Sequence, residues 1–451
     1  MIPLFAALRT SRRTKMKRPV VITLLVIALA LVCLGIGAVA FFTINGGFPT
    51  NSPFDRNNIS SVVEESKTLK VDAKKPLSLK VTDEAGDVTV TGGDVTSVQV
   101  KVVKTAYDST QARADEEVKT IEYTIEQVGD TITLSYKIPD SMNFSNNINT
   151  VDFIVTVPTE TSVSVDTSFG SVAVQDVQGA VDLSNDFGNV TAKNIEGELA
   201  VQSNSGEINV EAVDAGDKNV EINTEFGDIT LEQIKANDVS ATSNSGVVTF
   251  TNVRAAGDAY IKTDFGNTVY ENGSAASLTL DTNSGKISVT KVNVTKELKI
   301  QNDFGDIELT QAMAGSYDLH TNSGGITIDG AKGKLKAYTD FGNIEISNAK
   351  SVTLDVKTNS GTIEFSGSLG AGPHNVKSDF GNIDLALPTD AKLNVDLKTD
   401  FGKIKSDLPI TVTLTESSSS EKDQIVGAIN GGGDELIVNT NSGGINITAI
   451  K

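Results

Sequence analysis

The chain contains no tryptophan, one cysteine and two histidines, and only 5% of its 451 residues are aromatic. Each shortage excludes something. Without large rings, a bulky globular core is not expected, and stability has to come from aliphatic packing and backbone pairing. Cys33 has no intramolecular disulfide partner. His320 and His374 stand far apart in the chain, at a spacing that does not suit a shared metal site, and no supporting motif marks either as the base of a Ser/His/Asp triad. Cations are also scarce. The first 44 residues carry Arg9, Arg12, Arg13, Lys15, Lys17 and Arg18 and no acid, so the remainder holds 38 − 6 = 32 basic residues against 58 acidic ones, a formal charge of −26. Such a body repels nucleic acid and anionic lipid, and no nucleic-acid partner is expected.

What is present begins with an apolar run. Val20 to Ile44 contains no charge, with Thr23 and Thr43 its clearly polar side chains. As a helix it would measure about 37 Å, enough to cross a hydrocarbon core of about 30 Å. The cations before it predict a cytoplasmic tail (1–18), a transmembrane signal anchor (19–44) and an outward-facing remainder. A cleaved signal peptide is the alternative, with Ala38-Val39-Ala40 as a small-residue site, although the run is longer than a secretory apolar region. Residues 45–60 read as a flexible stalk. From 61 to 160 the pattern is β-rich with one helix, within DSTQARADEEVKTI, for which Asp108 or Ser109 is a candidate cap, and Gly129-Asp130 signals a hairpin.

Residues 161–451 repeat. Fourteen copies of a phrase align on Gly170, Gly188, Gly206, Gly227, Gly246, Gly266, Gly285, Gly305, Gly324, Gly342, Gly361, Gly381, Gly402 and Gly443, with a degenerate copy at Gly86. Neighbours are 18 to 21 residues apart except the last pair, where a gap of 41 suggests a copy remodelled around TESSSSEKDQ. Each unit reads as strand, corner, strand, followed in most by an apolar plug such as Val177, Ile195, Val213 or Ile234. Asp303-Phe304-Gly305-Asp306 places an acid first and glycine third, which suits a type II turn rather than a hairpin turn. The expected fold is all-β: a parallel β-solenoid with rungs of about 20 residues spaced about 4.8 Å. An antiparallel meander, or a coil of paired units of about 39 residues, is the alternative.

The corner alternates. Phe187, Phe226, Phe265, Phe304, Phe341 and Phe380, each before its glycine, take turns with Ser205, Ser245, Ser284, Ser323 and Ser360. Period-two parity points the rings into the tube, where small residues in neighbouring layers would give them room. The preceding position alternates in step between an acid (Asp186, Glu225, Asp264, Asp303, Asp340, Asp379) and Asn, which spaces like charges. Alternation breaks at both ends, Phe169 before Phe187 and Phe380 before Phe401, as expected of capping units.

The phrases VDFIVTVPTETSVSVDTSFGSVAV, TDFGNI, TNSGKI and GAINGGGDELIVNTNSGGINI resemble the bacterial β-strand-repeat domains of unknown function grouped as "putative adhesin", the toast-rack group. The resemblance covers residues 70–451. It implies an envelope-exposed scaffold on a membrane anchor, accompanying envelope-stress signalling in some relatives, with no catalytic residues to carry over.

Other chemistries compete. The acid row, Asp186, Asp264, Asp303, Asp340 and Asp379, could offer oxygen ligands to calcium, but an acid opening a turn is ordinary turn chemistry. A carbohydrate-active β-helix enzyme would need paired carboxylates; Arg254 is the one arginine of the repeats, and no unit departs from the pattern to build a pocket. Leu408 to Gly433 is where a specialised surface would be sought. The expectation is a non-catalytic, membrane-tethered scaffold or surface-binding protein without cofactor, its partner an envelope protein or a surface polysaccharide. A sensor coupled to a membrane partner is the alternative.

Overall fold

The computed structural model describes residues 59–72, 75–139, 148–417 and 423–450, and the basic tail, the Val20–Ile44 span and the stalk up to residue 58 lie outside them. Among the described residues no helix is long and apolar enough to cross a membrane.

The repeats form a parallel β-solenoid. Val181–Phe187 pairs in parallel with Thr161–Phe169 on one side and Leu199–Ser205 on the other, Val181 opposite Val163 and Leu199. After the corner, Val190–Glu196 pairs in parallel with Val172–Gln178 and Ile208–Asp214. Partners therefore differ by a single unit, not by a pair of units, and each unit is one rung. Inward residues at alternate positions, such as Leu183, Val190, Ile222, Leu280 and Ile300, are buried. They join one continuous core running from Leu69 to Ile447. The plugs are buried too, each following a residue in left-handed conformation: Asp176, Asn194, Ala212 and Gln233 have φ of +53 to +60° and turn the chain just before Val177, Ile195, Val213 and Ile234.

Chain order and stacking order part company at both ends. The rung made by Leu77–Asp83 and Val88–Gly93 sits between Thr131–Tyr136 with Thr150–Pro158 on one side and the first regular repeat on the other. Residues 61–160 are thus continuous with the solenoid. At the far end, Asp434–Ser442 and Ile445–Ile450 slot between the Gly381 and Gly402 rungs. The sequence gap of 41 is therefore a detour. Ile410–Ser417 and Asp423–Ile429 form an antiparallel pair, and the latter lies antiparallel along Leu393–Phe401. The opposite end is closed in the same way, by Ser97–Asp108 antiparallel to Thr150–Pro158 and then by Ile59–Lys70. Antiparallel covers reduce the exposed edge of a parallel stack, where unpaired amides would otherwise recruit further strands.

The helix spans Gln111–Thr120 and buries Ala114 and Val118. Its cap is Thr110, whose Oγ1 accepts from the Arg113 amide at 3.4 Å, rather than Asp108 or Ser109. Asp108 still belongs to the preceding strand, and its carboxylate accepts from the amide and hydroxyl of Ser109. The Gly129-Asp130 signal is a hairpin, Tyr123–Val128 against Thr131–Tyr136, with Gly129 at φ +61°.

Candidate interaction edge

The corner is built differently from its parity. At one corner Asn185 is buried, Asp186 is half-buried, and Phe187 is exposed where alternation would bury it. The same holds along the stack: Phe187, Phe226, Phe265, Phe304, Phe341 and Phe380 are 52 to 66% exposed, as is Phe401 at 61%. The inward expectation for the rings is therefore overturned. At the vertex of a tube the chain turns away from the axis, so Asp, Phe, Gly and the next residue all lie outside. The inner slot falls two residues before the phenylalanine.

That slot explains the small polar residue of most units. The corner glycines pack carbonyl to Cα along the stack, so the carbonyl of one meets the α-carbon of the next without a backbone N–H to receive it. Side chains supply the missing donor: the hydroxyls of Thr263, Thr321, Thr339, Thr358 and Ser378 donate to the carbonyls of Gly246, Gly305, Gly324, Gly342 and Gly361 at 3.0 to 3.2 Å. Asn185 and Asn302 do the same with Nδ2 towards Gly170 and Gly285, at 3.0 and 2.9 Å. Thr167, Ser203, Thr224 and Thr282 occupy the slot without this bond. Thr358→Val keeps the shape and removes the donor to Gly342. It is expected to cost about 1 to 3 kcal/mol as a drop in urea midpoint, because the carbonyl is left unsatisfied. An unchanged midpoint would show that the ladder contributes nothing to stability.

The glycines are obligatory. Gly188, Gly227, Gly266, Gly305 and Gly381 have φ between +141 and +158°, beyond the value of about +80° that a type II turn requires. The corner is a sharp bend, not the expected type II turn. At Gly342 an added Cβ would lie 1.9 Å from the Gly324 carbonyl oxygen.

Outside, Asn side chains of serine rungs bond the acids of the neighbouring phenylalanine rungs at four places along the stack. Asn204, Asn322 and Asn359 donate to Asp186, Asp303 and Asp340 at 2.6, 2.8 and 2.5 Å, and Asn441 reaches Asp379 at 3.4 Å. Asp264 holds the equivalent place. A further alternation follows the glycine. The phenylalanine rungs from Phe187 to Phe380 carry Asn or Asp there, and Asn189, Asp228, Asn267, Asp306 and Asn343 each accept the next rung's amide through Oδ1 at 2.8 to 3.0 Å. The signal was available: in serine rungs that position is Glu207, Val247, Lys286, Gly325 or Thr362.

The broken alternation at the C-terminal end is mended in space. Ser442 pairs with Phe380 on one side and Phe401 on the other, so ring, serine, ring still alternate. At the other end the break is real. Phe169 and Phe187 occupy adjacent rungs and stack, with centroids 5.4 Å apart and planes 8° from parallel.

The histidines do not meet. His374 is buried, and its Nδ1 accepts from the Leu354 amide at 3.2 Å, which leaves Nε2 to donate to the Gly370 carbonyl at 3.2 Å. Burial lowers its pKa and keeps it neutral. His320 lies on the outer face, 3.2 Å from Asn322 Oδ1 and edge-on to Tyr338, in a shallow depression of about 280 Å³ with Asp281 and Asp303. Among the described residues no three His, Cys, Asp or Glu side chains are grouped to hold a metal ion.

The profile of the Toastrack DUF4097 family matches residues 76–340 and, in an overlapping second match, 271–448. No curated protein matches. Among solved structures, a "putative cell adhesion protein" from Clostridium sporogenes is 10% identical, covering 86% of this chain and 100% of its own, with a TM-score of 0.20. A "putative adhesin" from Bacteroides fragilis is 13% identical over 68% of this chain and 97% of its own (TM-score 0.24). A "putative lipid binding protein" from Parabacteroides distasonis is 15% identical over 65% and 96% (TM-score 0.29). With the family profile spanning nearly all the described rungs, the chain belongs to the Toastrack DUF4097 family.

Proposed function

We propose that the protein is a membrane-anchored, extracytoplasmic β-repeat scaffold that acts through surface contact in the cell envelope, in an adhesin-like and non-catalytic role. The observation that carries this reading is the edge itself: a row of exposed rings, each preceded by a half-buried or exposed carboxylate, that recurs every second rung from Phe187 to Phe401. A line of this kind suits an extended partner, such as an envelope protein or a surface polysaccharide, better than a small molecule. Anchoring rests on the uncharged Val20–Ile44 run and the cations before it. Protease added to sealed cells should remove the repeats while leaving a membrane-bound N-terminal fragment. Repeats left intact on sealed cells, with digestion only after lysis, would reverse the orientation, and full recovery of the chain in the soluble fraction would eliminate the anchor.

A further inference from the structure

The exposed rings form a comb with measurable gaps. Phenylalanine rungs alternate with serine rungs, so rings recur at about 9.6 Å, two rung spacings, and each gap has a serine floor. A ring entering a gap would lie about 4.8 Å from the ring on either side, within the range of about 4.5 to 7 Å that aromatic pairs favour. The molecule already contains such a pair. Phe169 and Phe187, one rung apart on this edge, stack at 5.4 Å, so the corner tolerates rings on adjacent rungs and holds them face to face.

We propose that the occupant of these gaps is the comb of a second copy of this chain, and that two solenoids pair edge to edge with their phenylalanines interleaved. Symmetry fixes the direction. A two-fold axis along the rods would set ring against ring at equal height, whereas a two-fold axis across them allows a shift of one rung and therefore requires antiparallel copies. The same shift brings the Asn of each copy level with the Asp of the other, the match that Asn204 and Asp186 make within one copy at 2.6 Å. Area is sufficient. The seven rings from Phe187 to Phe401 are all more than half exposed, and at roughly 200 Å² per phenylalanine they offer on the order of 800 Å² per partner, the size of a standard interface. The net charge of −20 opposes pairing, so salt should strengthen it. The proposal does not depend on which side of a membrane the solenoid occupies, and the protease experiment leaves it untouched.

The test is sedimentation equilibrium of the full chain in detergent, at micromolar concentration and at low and high salt. Wild type should dimerise, more tightly at high salt. Two variants separate interleaving from mere stickiness. Replacing Phe226, Phe265, Phe304 and Phe341 by Ser removes the teeth. Replacing Ser245, Ser284 and Ser323 by Phe fills the gaps and enlarges the apolar edge. Both should weaken association by at least about tenfold, with melting curves confirming that each remains folded. A wild type that stays monomeric at both salt levels overturns the proposal. So does a gap-filled variant that associates as well as or better than wild type, and so does occupation of the edge by a cell-wall glycan in place of self-association.

Discussion

Gly305→Ala should destabilise the solenoid by about 4 kcal/mol or more, an unusually large effect for one methyl group. Two costs add. At φ +144° the backbone lies in a region open essentially to glycine alone, worth about 1 to 3 kcal/mol of strain for any other residue. The new Cβ would also lie 2.1 Å from the Gly285 carbonyl oxygen and 2.8 Å from its carbon. Neither atom can move without parting two rungs, because the flanking strands are paired on both sides. Gly216→Ala is the control. It too has positive φ, at +62°, but its Cβ would meet nothing within 4 Å, so only the ordinary left-handed cost of about 1 to 2 kcal/mol applies. Urea unfolding of both variants, with hydrogen exchange at the 298–309 rung, measures the difference. Equal losses would mean that stacking of the corner glycines does not limit the side chain there.

The second large effect depends on pH. Asp83 occupies, in the Gly86 rung, the slot that Thr167 fills in the next. It is buried, its Oδ1 accepts from the Ala85 amide at 3.0 Å, and its Oδ2 has no partner. Burial pushes its pKa up to about 7, the Ala85 amide opposes the rise, and the carboxylates of Asp152, Asp87 and Glu84 add to it. The folded chain therefore holds a proton that the unfolded chain releases near pH 4. Stability from this group is complete below pH 4, declines as pH rises from about 4 to about 7, and is lost above. The total is roughly 4 kcal/mol. Asp83→Asn keeps the shape and removes the titration. It should match wild type at pH 4 and exceed it by most of that amount at pH 8, read as urea midpoint and as exchange protection at residues 77–93. Parallel pH profiles for the two proteins would show that Asp83 is not held protonated. Asn already fills this slot at Asn185 and Asn302, so the substitution has precedents within the chain.

Much of the architecture was legible because backbone pairing in a stack makes every rung solve the same problem. A short, regular repeat with alternating apolar positions is enough to place Leu183, Ile222 and Ile300 inside and to set partners one unit apart. The phenylalanine row departs from its parity for a definite reason. Period-two alternation describes a straight strand, and it fails at the vertex where the chain leaves the tube wall; the last inward position before Phe304 is Asn302. The small polar residue there was visible as a pattern, but its purpose was not, since the Gly285 carbonyl that it serves belongs to another rung.

From composition and spacing alone came the all-β class, the winding length, the shortage of ring-based core and the alternation of phenylalanine with serine. These are properties of one unit and its nearest copy, and local chemistry dictates them. Only the tertiary structure decided the stacking order at the two ends, the outward aim of the rings and the pairing of Phe380 with the distant Ser442. The rings face outward because the chain turns at each vertex, whereas the stacking order and the pairing of Phe380 with Ser442 depend on which strands close the stack, a choice set by covering exposed amides at its ends that brings together segments whose separation in the chain carries no periodic signal.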